Sequence, residues 1–255
     1  MTAVLPDLTV TEAEVRAALG TVVDPELDEP ITDVGFVRSV SVQGGTVEVH
    51  LRLPTSFCAP NFAWLMVSDA HDAVSAVPGV GSVVVELDDH HDSDLINRGM
   101  AAGLGYRGTF GHEAEDSLDE LRATFQRKAH TAAMERAITA LVRTDPTVDV
   151  AALTLGDLPA GEHTTDALLR RRATLGLPVD DGAPVLVHDD GTRPDPAQAE
   201  MVLRRARSVR ISVDGNAHFC RGLLTTRYPG SEADQTPRPE DRVLLPLTVT
   251  KGTHP

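Results

Sequence analysis

"TVEVHLRLPTSFCAPNFAWLM", residues 46–66, changes its period halfway along. From Thr46 to Leu53 apolar and polar residues alternate. Val47, Val49, Leu51 and Leu53 point one way, and Thr46, Glu48, His50 and Arg52 the other. A period of two is a strand with one buried face, and it turns His50 towards solvent. From Pro60 onwards the apolar residues Phe62, Leu65, Met66, Ala73, Val74 and Val77 recur at spacings of three and four, which makes an amphipathic helix. Pro60 suits the first turn, where no N–H is needed. Between strand and helix sits Cys58, one of only two cysteines in the chain.

Working outward, "VGFVRSVSV" (34–42) reads as a strand that reaches residues 46–53 through a tight turn at Gln43–Gly45. "TEAEVRAALGTV" (11–22) opens with Thr11 and Glu14 at capping-box spacing and continues as a helix with Val15, Leu19 and Val22 on one face. "PGVG" (78–81) stops the helix that began at Pro60, and "SVVVEL" (82–87) is a third strand. The expected fold class is α+β: a small sheet with two helices on one face in an N-terminal domain, 1–92. A glycine-rich linker, 93–112, follows, with a short helix from Asp94. The remainder, 113–255, reads as a mixed, mainly helical domain. Its helices are 113–143, 166–177 and 195–209; its strands are 183–188, 210–213 and 242–249.

The 255 residues carry a formal net charge of -15, which disfavours nucleic acid or an anionic membrane as partner. Arg170–Arg172 is too short a basic run to reverse this and reads as a solvated helix face. The N-terminus lacks a signal-peptide pattern, no apolar run is long enough to cross a bilayer, and two distant cysteines make no disulfide framework. These features fit a cytoplasmic protein, and the Ala-, Val-, Asp- and Arg-rich composition suits a bacterial source.

A thiol at a strand-to-helix joint has two readings. It is a small buried hydrophobe, or it is a reactive group favoured as thiolate by the helix start. Thr55 and Asn61 flank Cys58 with hydrogen-bonding groups, and Asn61 and Phe62 are the nearest N–H donors. The acidic loop that contains Asp24 and Glu26 reaches the thiol if the sheet brings both loops to one end.

The set Asp24-Pro25-Glu26, Ile31, Asp33, Gly35, Val37, Leu53-Pro54-Thr55, Cys58 and Pro78-Gly79-Val80 resembles the small iron–sulfur assembly domain shared by bacterial SufT and PaaD proteins and their eukaryotic cytosolic relatives, over roughly residues 11–90. The resemblance implies an accessory factor, not an enzyme, that handles iron or an iron–sulfur cluster transiently. Its partners would be a client metalloprotein, such as an oxygenase, and other assembly proteins, with a homodimer as a further option. It makes Cys58 the cluster-transfer residue, supported by Asp24, Glu26, Asp33, Thr55 and Asn61. Only Ser56 and Phe57 separate Thr55 from Cys58, one residue fewer than is common in that family.

Two secondary metal candidates stand outside this set. His90 and His91 lie in an acidic loop, Asp88–Asp94, and imidazole with carboxylate suits iron or zinc. His218 and Cys220 share a face if residues 216–222 form a strand. His112, His130, His163 and His188 have no partner at ligand spacing and read as surface residues. Gly-x-Ser-x-Gly and His-Glu-x-x-His motifs are absent, and no Gly-x-Gly-x-x-Gly follows a strand. A thiol-dependent enzyme using Cys58, or an interaction module with a structural Cys58, are the alternatives.

Overall fold

The computed structural model describes residues 9–111 and 118–237. Helix α1 (Glu12–Leu19) starts at the expected capping box. The Thr11 hydroxyl accepts from the Glu14 N–H, and the Glu14 carboxylate accepts from the Thr11 N–H. Two short strands, β1 (Val23–Asp24) and β2 (Glu29–Pro30), then pair across a turn. A three-stranded sheet follows in the order β3-β4-β5, formed by β3 (Val37–Gln43), β4 (Thr46–Arg52) and β5 (Ser82–Asp88). The β3–β4 turn uses Gly44 and Gly45, both at positive φ, as a two-residue hairpin demands. Helix α2 (Pro60–Ser75) crosses over between β4 and β5, which pair in parallel.

Val47, Val49, Leu51 and Leu53 are all buried, together with Trp64, Met66, Val67 and Val74 of α2 and Val15 and Leu19 of α1. This is the α+β unit the alternation predicts. The opposite face of β4 is only partly open. His50 bonds Asp88 and Glu48 at its surface, whereas Arg52 is buried, donating to the Gly35 carbonyl and to Asp234.

The glycine-rich stretch after β5 carries two short helices, α3 (Ser93–Ala101) and α4 (Gly105–Phe110). Ile96 and Phe110 enter the first core, and Phe110 meets Trp64 edge-on. Helices α5 (Leu118–Thr144), α6 (His163–Leu175) and α7 (Ala199–Arg227) build a second core around Met134, Ile138, Leu168 and Ala206. Helix α7 belongs to both cores, since Ala217 and Leu224 lie in the first.

Several expectations for the second half are corrected. Residues 210–213 are not a strand. They sit inside α7, where Arg210 bonds both Glu135 and Asp214 one turn on. Residues 183–188 form only an isolated bridge, Thr154 to Pro184. The reason is Arg172, which is buried and donates to the carbonyls of Pro178, Pro184 and Val185. A guanidinium thus takes bonds that a neighbouring strand would otherwise make. The run Arg170–Arg172 is therefore no solvated face: Arg172 is buried and Arg171 pairs with Asp28. His130 is buried, not a surface residue. His112, residues 113–117 and the expected strand 242–249 lie outside the described residues.

Candidate metal-transfer site at the strand-to-helix joint

Leu53–Ala59 joins the central strand to α2, and Cys58 sits half-buried next to the N-cap residue Ala59. The group that reaches the thiol is Thr55, its hydroxyl 3.4 Å from Sγ. The expected role of the helix N–H groups is corrected in part. The Phe62 N–H is occupied by the Asn61 side chain at 2.9 Å and the Ala59 carbonyl at 3.0 Å. The Asn61 side chain is therefore engaged within its own first helical turn.

The joint is pinned from two sides. His90 accepts the Asp92 N–H at Nδ1, so its Nε2–H donates to the Cys58 carbonyl at 2.8 Å. His90 is buried, and with both ring nitrogens engaged it is a clamp on Cys58, not a free metal ligand. Its neighbour His91 stacks on Phe57, ring centroids 5.8 Å apart, while the His91 N–H bonds the Ser56 carbonyl. From the other side Arg227, at the end of α7, donates to the carbonyls of Leu53 and Asp89. The Tyr228 ring lies against both Arg227 and Arg52, with centroid distances of 5.2 and 5.4 Å.

The acidic loop is tied to α7, with Asp24 and Glu26 near Cys220. Asp24 is buried and accepts the N–H groups of Glu26 and Leu27, both at 2.9 Å. Burial, more than its acidic neighbours, pushes its carboxyl up to about 6. Asn216 of α7 donates to Glu26 at 3.1 Å. Arg221 donates to the Asp33 carbonyl at 2.8 Å and to the Glu29 carboxylate. Asp33 thus contributes a backbone oxygen to the contact with α7, and its carboxylate accepts from Thr32.

Cys220 lies on the same helix face as Asn216 and Leu224, one turn from each. Burial pushes its thiol up to about 12, and the negative charges of Asp24, Cys58 and Glu26 push in the same direction. His218 and Cys220 do not share a face, because residues 216–222 are helical. His218 is exposed. Among the described residues no three His, Cys, Asp or Glu side chains stand so as to hold a metal ion. Clusters are commonly held by four thiolates, and the chain has only the two thiols of Cys58 and Cys220. Thiol and carboxylate are donor types that suit iron.

The sequence reading did not find the clamping role of His90 or the part played by Asn216, Arg221 and Arg227. The last three follow from helical spacing on α7 once residues 199–227 are read as one helix. The bond from His90 to a backbone carbonyl has no signature in sequence.

Residues 12–86 match the family model described as iron–sulfur cluster assembly protein. Iron–sulfur cluster carrier proteins of Mycobacterium tuberculosis and Synechocystis are 39% identical over 77 residues and 35% identical over 78. These alignments cover 30% and 31% of this chain, and 20% and 22% of the carriers. The chain thus spans about a fifth of the length of the carrier proteins it matches. An uncharacterized protein of Methanocaldococcus jannaschii is 35% identical over 89 residues, which is 34% of this chain and 92% of that protein. No solved structure matches the chain significantly. With nearly all of that small relative covered by the chain, and the family model laid over α1 to β5, the chain belongs to the iron–sulfur cluster assembly protein family.

Proposed function

We propose that this chain is a non-enzymatic carrier that receives iron or an iron–sulfur cluster at Cys58 and releases it to a client metalloprotein. The observation that carries the reading is the setting of Cys58. Cys58 is partly exposed, while its backbone is held by His90. A donor that must accept and release cargo needs access, and a fixed backbone positions it without closing it in. An incomplete donor set points the same way. A structural site closes its shell with four protein ligands, whereas a carrier leaves positions for its donor and its client. The names of the mycobacterial and cyanobacterial relatives support a carrier role. The resemblance to PaaD proteins favours an oxygenase with an iron centre as client. Residues 113–255 would serve as the client-facing part of the molecule.

The test is anaerobic reconstitution with ferrous iron and sulfide, followed by desalting and a visible spectrum. The wild type should retain sulfur-to-iron charge-transfer absorption, and Cys58→Ala should lose most of it. Equal absorption in the two proteins would refute the role of Cys58.

A further inference from the structure

The geometry of α7 assigns Cys220 a part in the same site: we propose that it is the second thiolate donor to the cargo of Cys58, so that iron or an iron–sulfur cluster is gripped between one thiol from each half of the chain. The inference rests on the reading of Cys58 given above and adds to it a donor outside the matched residues 12–86.

The register of α7 carries the argument. Three hydrogen bonds fix it against the N-terminal unit: Asn216 to Glu26 at 3.1 Å, Arg221 to the Asp33 carbonyl at 2.8 Å, and Arg227 to the Leu53 carbonyl at 3.1 Å. Leu224 closes on Gly35, where a Cβ would stand 3.1 Å from its side chain. Residues 217, 220, 224 and 227 share one helix face, so Cys220 lies between these anchors. It packs on the same core cluster as Cys58. Leu53, bonded by Arg227, opens the loop that ends in Cys58. The chain has only two cysteines; both pack on the first core, and Cys220 lies within electrostatic reach of Cys58, Asp24 and Glu26.

The chemistry is that of a soft cation. Two thiols suit iron, and the carboxylates of Asp24 and Glu26 beside them favour positive charge. Binding one ferrous ion forms two Fe–S bonds and releases two thiol protons to solvent, with no change of oxidation state. Two protein donors leave the rest of the shell to sulfide, water or a client. The N-terminal domain alone would then hold cargo by one thiolate, and the C-terminal helix would double the grip.

The experiment uses the full chain under anaerobic conditions with cobalt(II) as probe. Near-ultraviolet sulfur-to-cobalt absorption is read for the wild type, Cys58→Ser and Cys220→Ser, beside circular dichroism of each. Each variant should show about half the wild-type absorption and at least tenfold weaker binding. X-ray absorption of the wild-type complex, which depends on no variant folding, should count two sulfur neighbours per cobalt. Wild-type absorption in Cys220→Ser with loss in Cys58→Ser, or a single sulfur neighbour, would overturn the inference and leave the carrier reading standing. Wild-type absorption in Cys58→Ser, or no cobalt–sulfur absorption in the wild type, would overturn both.

Discussion

The two cores of this molecule are built on different physics. The first, around the sheet, is aliphatic and periodic. Val47, Val49, Leu51 and Leu53 face α1 and α2 with little polar content among them. Asp24 and Arg52 are buried in the N-terminal unit too, but the second core buries charge more completely. Glu135 is fully buried and receives Arg207, Arg210 and Thr139, while Arg172 and His130 are 1% and 2% exposed. An apolar core tolerates the loss of one contact, whereas a buried ion left without its partners does not. The sharpest way to break the comparison is therefore Arg172→Met. It strands three carbonyls and should cost the second core about 3–5 kcal/mol, by analogy with broken buried networks. The readout is urea unfolding followed by far-ultraviolet circular dichroism beside tryptophan fluorescence. Trp64 is the only tryptophan and lies in the first core. The helical signal should fall at lower urea, while the fluorescence midpoint moves less. Equal shifts would mean that the two cores unfold as one.

The join between them is tested by Leu224→Ala. This residue lies late in the sequence yet packs in the first core beside Gly35. The substitution should cost about 2–5 kcal/mol and should appear in Trp64 fluorescence. A fragment ending at residue 111 loses Leu224 and Ala217 together with the bonds from Arg221 and Arg227. It should be markedly less stable than the first core within the whole chain, measured by the same fluorescence midpoint.

The first core was legible because its pattern is local. A period of two, a glycine turn, a proline at a helix start and a capping box each declare themselves within ten residues. The second half hid for reasons that are equally physical. Val185, Leu186 and Val187 look like a strand, but the carbonyls of Pro184 and Val185 are taken by an arginine from α6. Ile211 and Val213 look like another, yet they ride a 29-residue helix anchored by ion pairs to α5. At the site, Cys58 and the acidic loop were visible as residue types. The approach of Cys220 was hidden, because it depends on which face α7 turns to a domain far away in sequence.

The cores should also answer pH in opposite directions. Asp24 has its folded pKa raised from 3.8 to about 6, mainly by burial. The folded state then holds its proton more tightly than the unfolded chain does, so stability falls as pH rises between about 4 and 6. His130 has its folded pKa lowered from 6.5 to about 4, by burial first and then by Arg172 and Arg171. There the unfolded chain binds the proton more tightly, and stability falls as pH drops from about 6.5 to 4. Each effect has a ceiling of about 3 kcal/mol. Asp24→Asn keeps an acceptor for the Glu26 and Leu27 N–H groups and removes the ionisation. It should raise the fluorescence midpoint at pH 7 and flatten its slope below pH 6. His130→Leu should flatten the slope of the helical signal.

The smallest effect concerns the clamp. His90→Phe removes the bond to the Cys58 carbonyl and the one accepted from the Asp92 N–H, and should cost about 2 kcal/mol. Its larger consequence should be faster loss of bound iron, since the loop that carries the thiol is freed on one side. The measurement is the rate of iron release to a chelator, compared with the wild type.

The central claim is that cargo held at Cys58 can be handed on. It is tested most directly by mixing the anaerobically reconstituted chain with an apo acceptor protein of the two-iron ferredoxin type and following the acceptor's visible circular dichroism. The account predicts that the wild type delivers its cluster faster than free iron and sulfide assemble one at the same concentrations. It predicts that Cys58→Ala, taken through the same reconstitution, delivers none. Delivery by Cys58→Ala at the wild-type rate, or a wild type that keeps its cluster in the presence of excess acceptor, would contradict it.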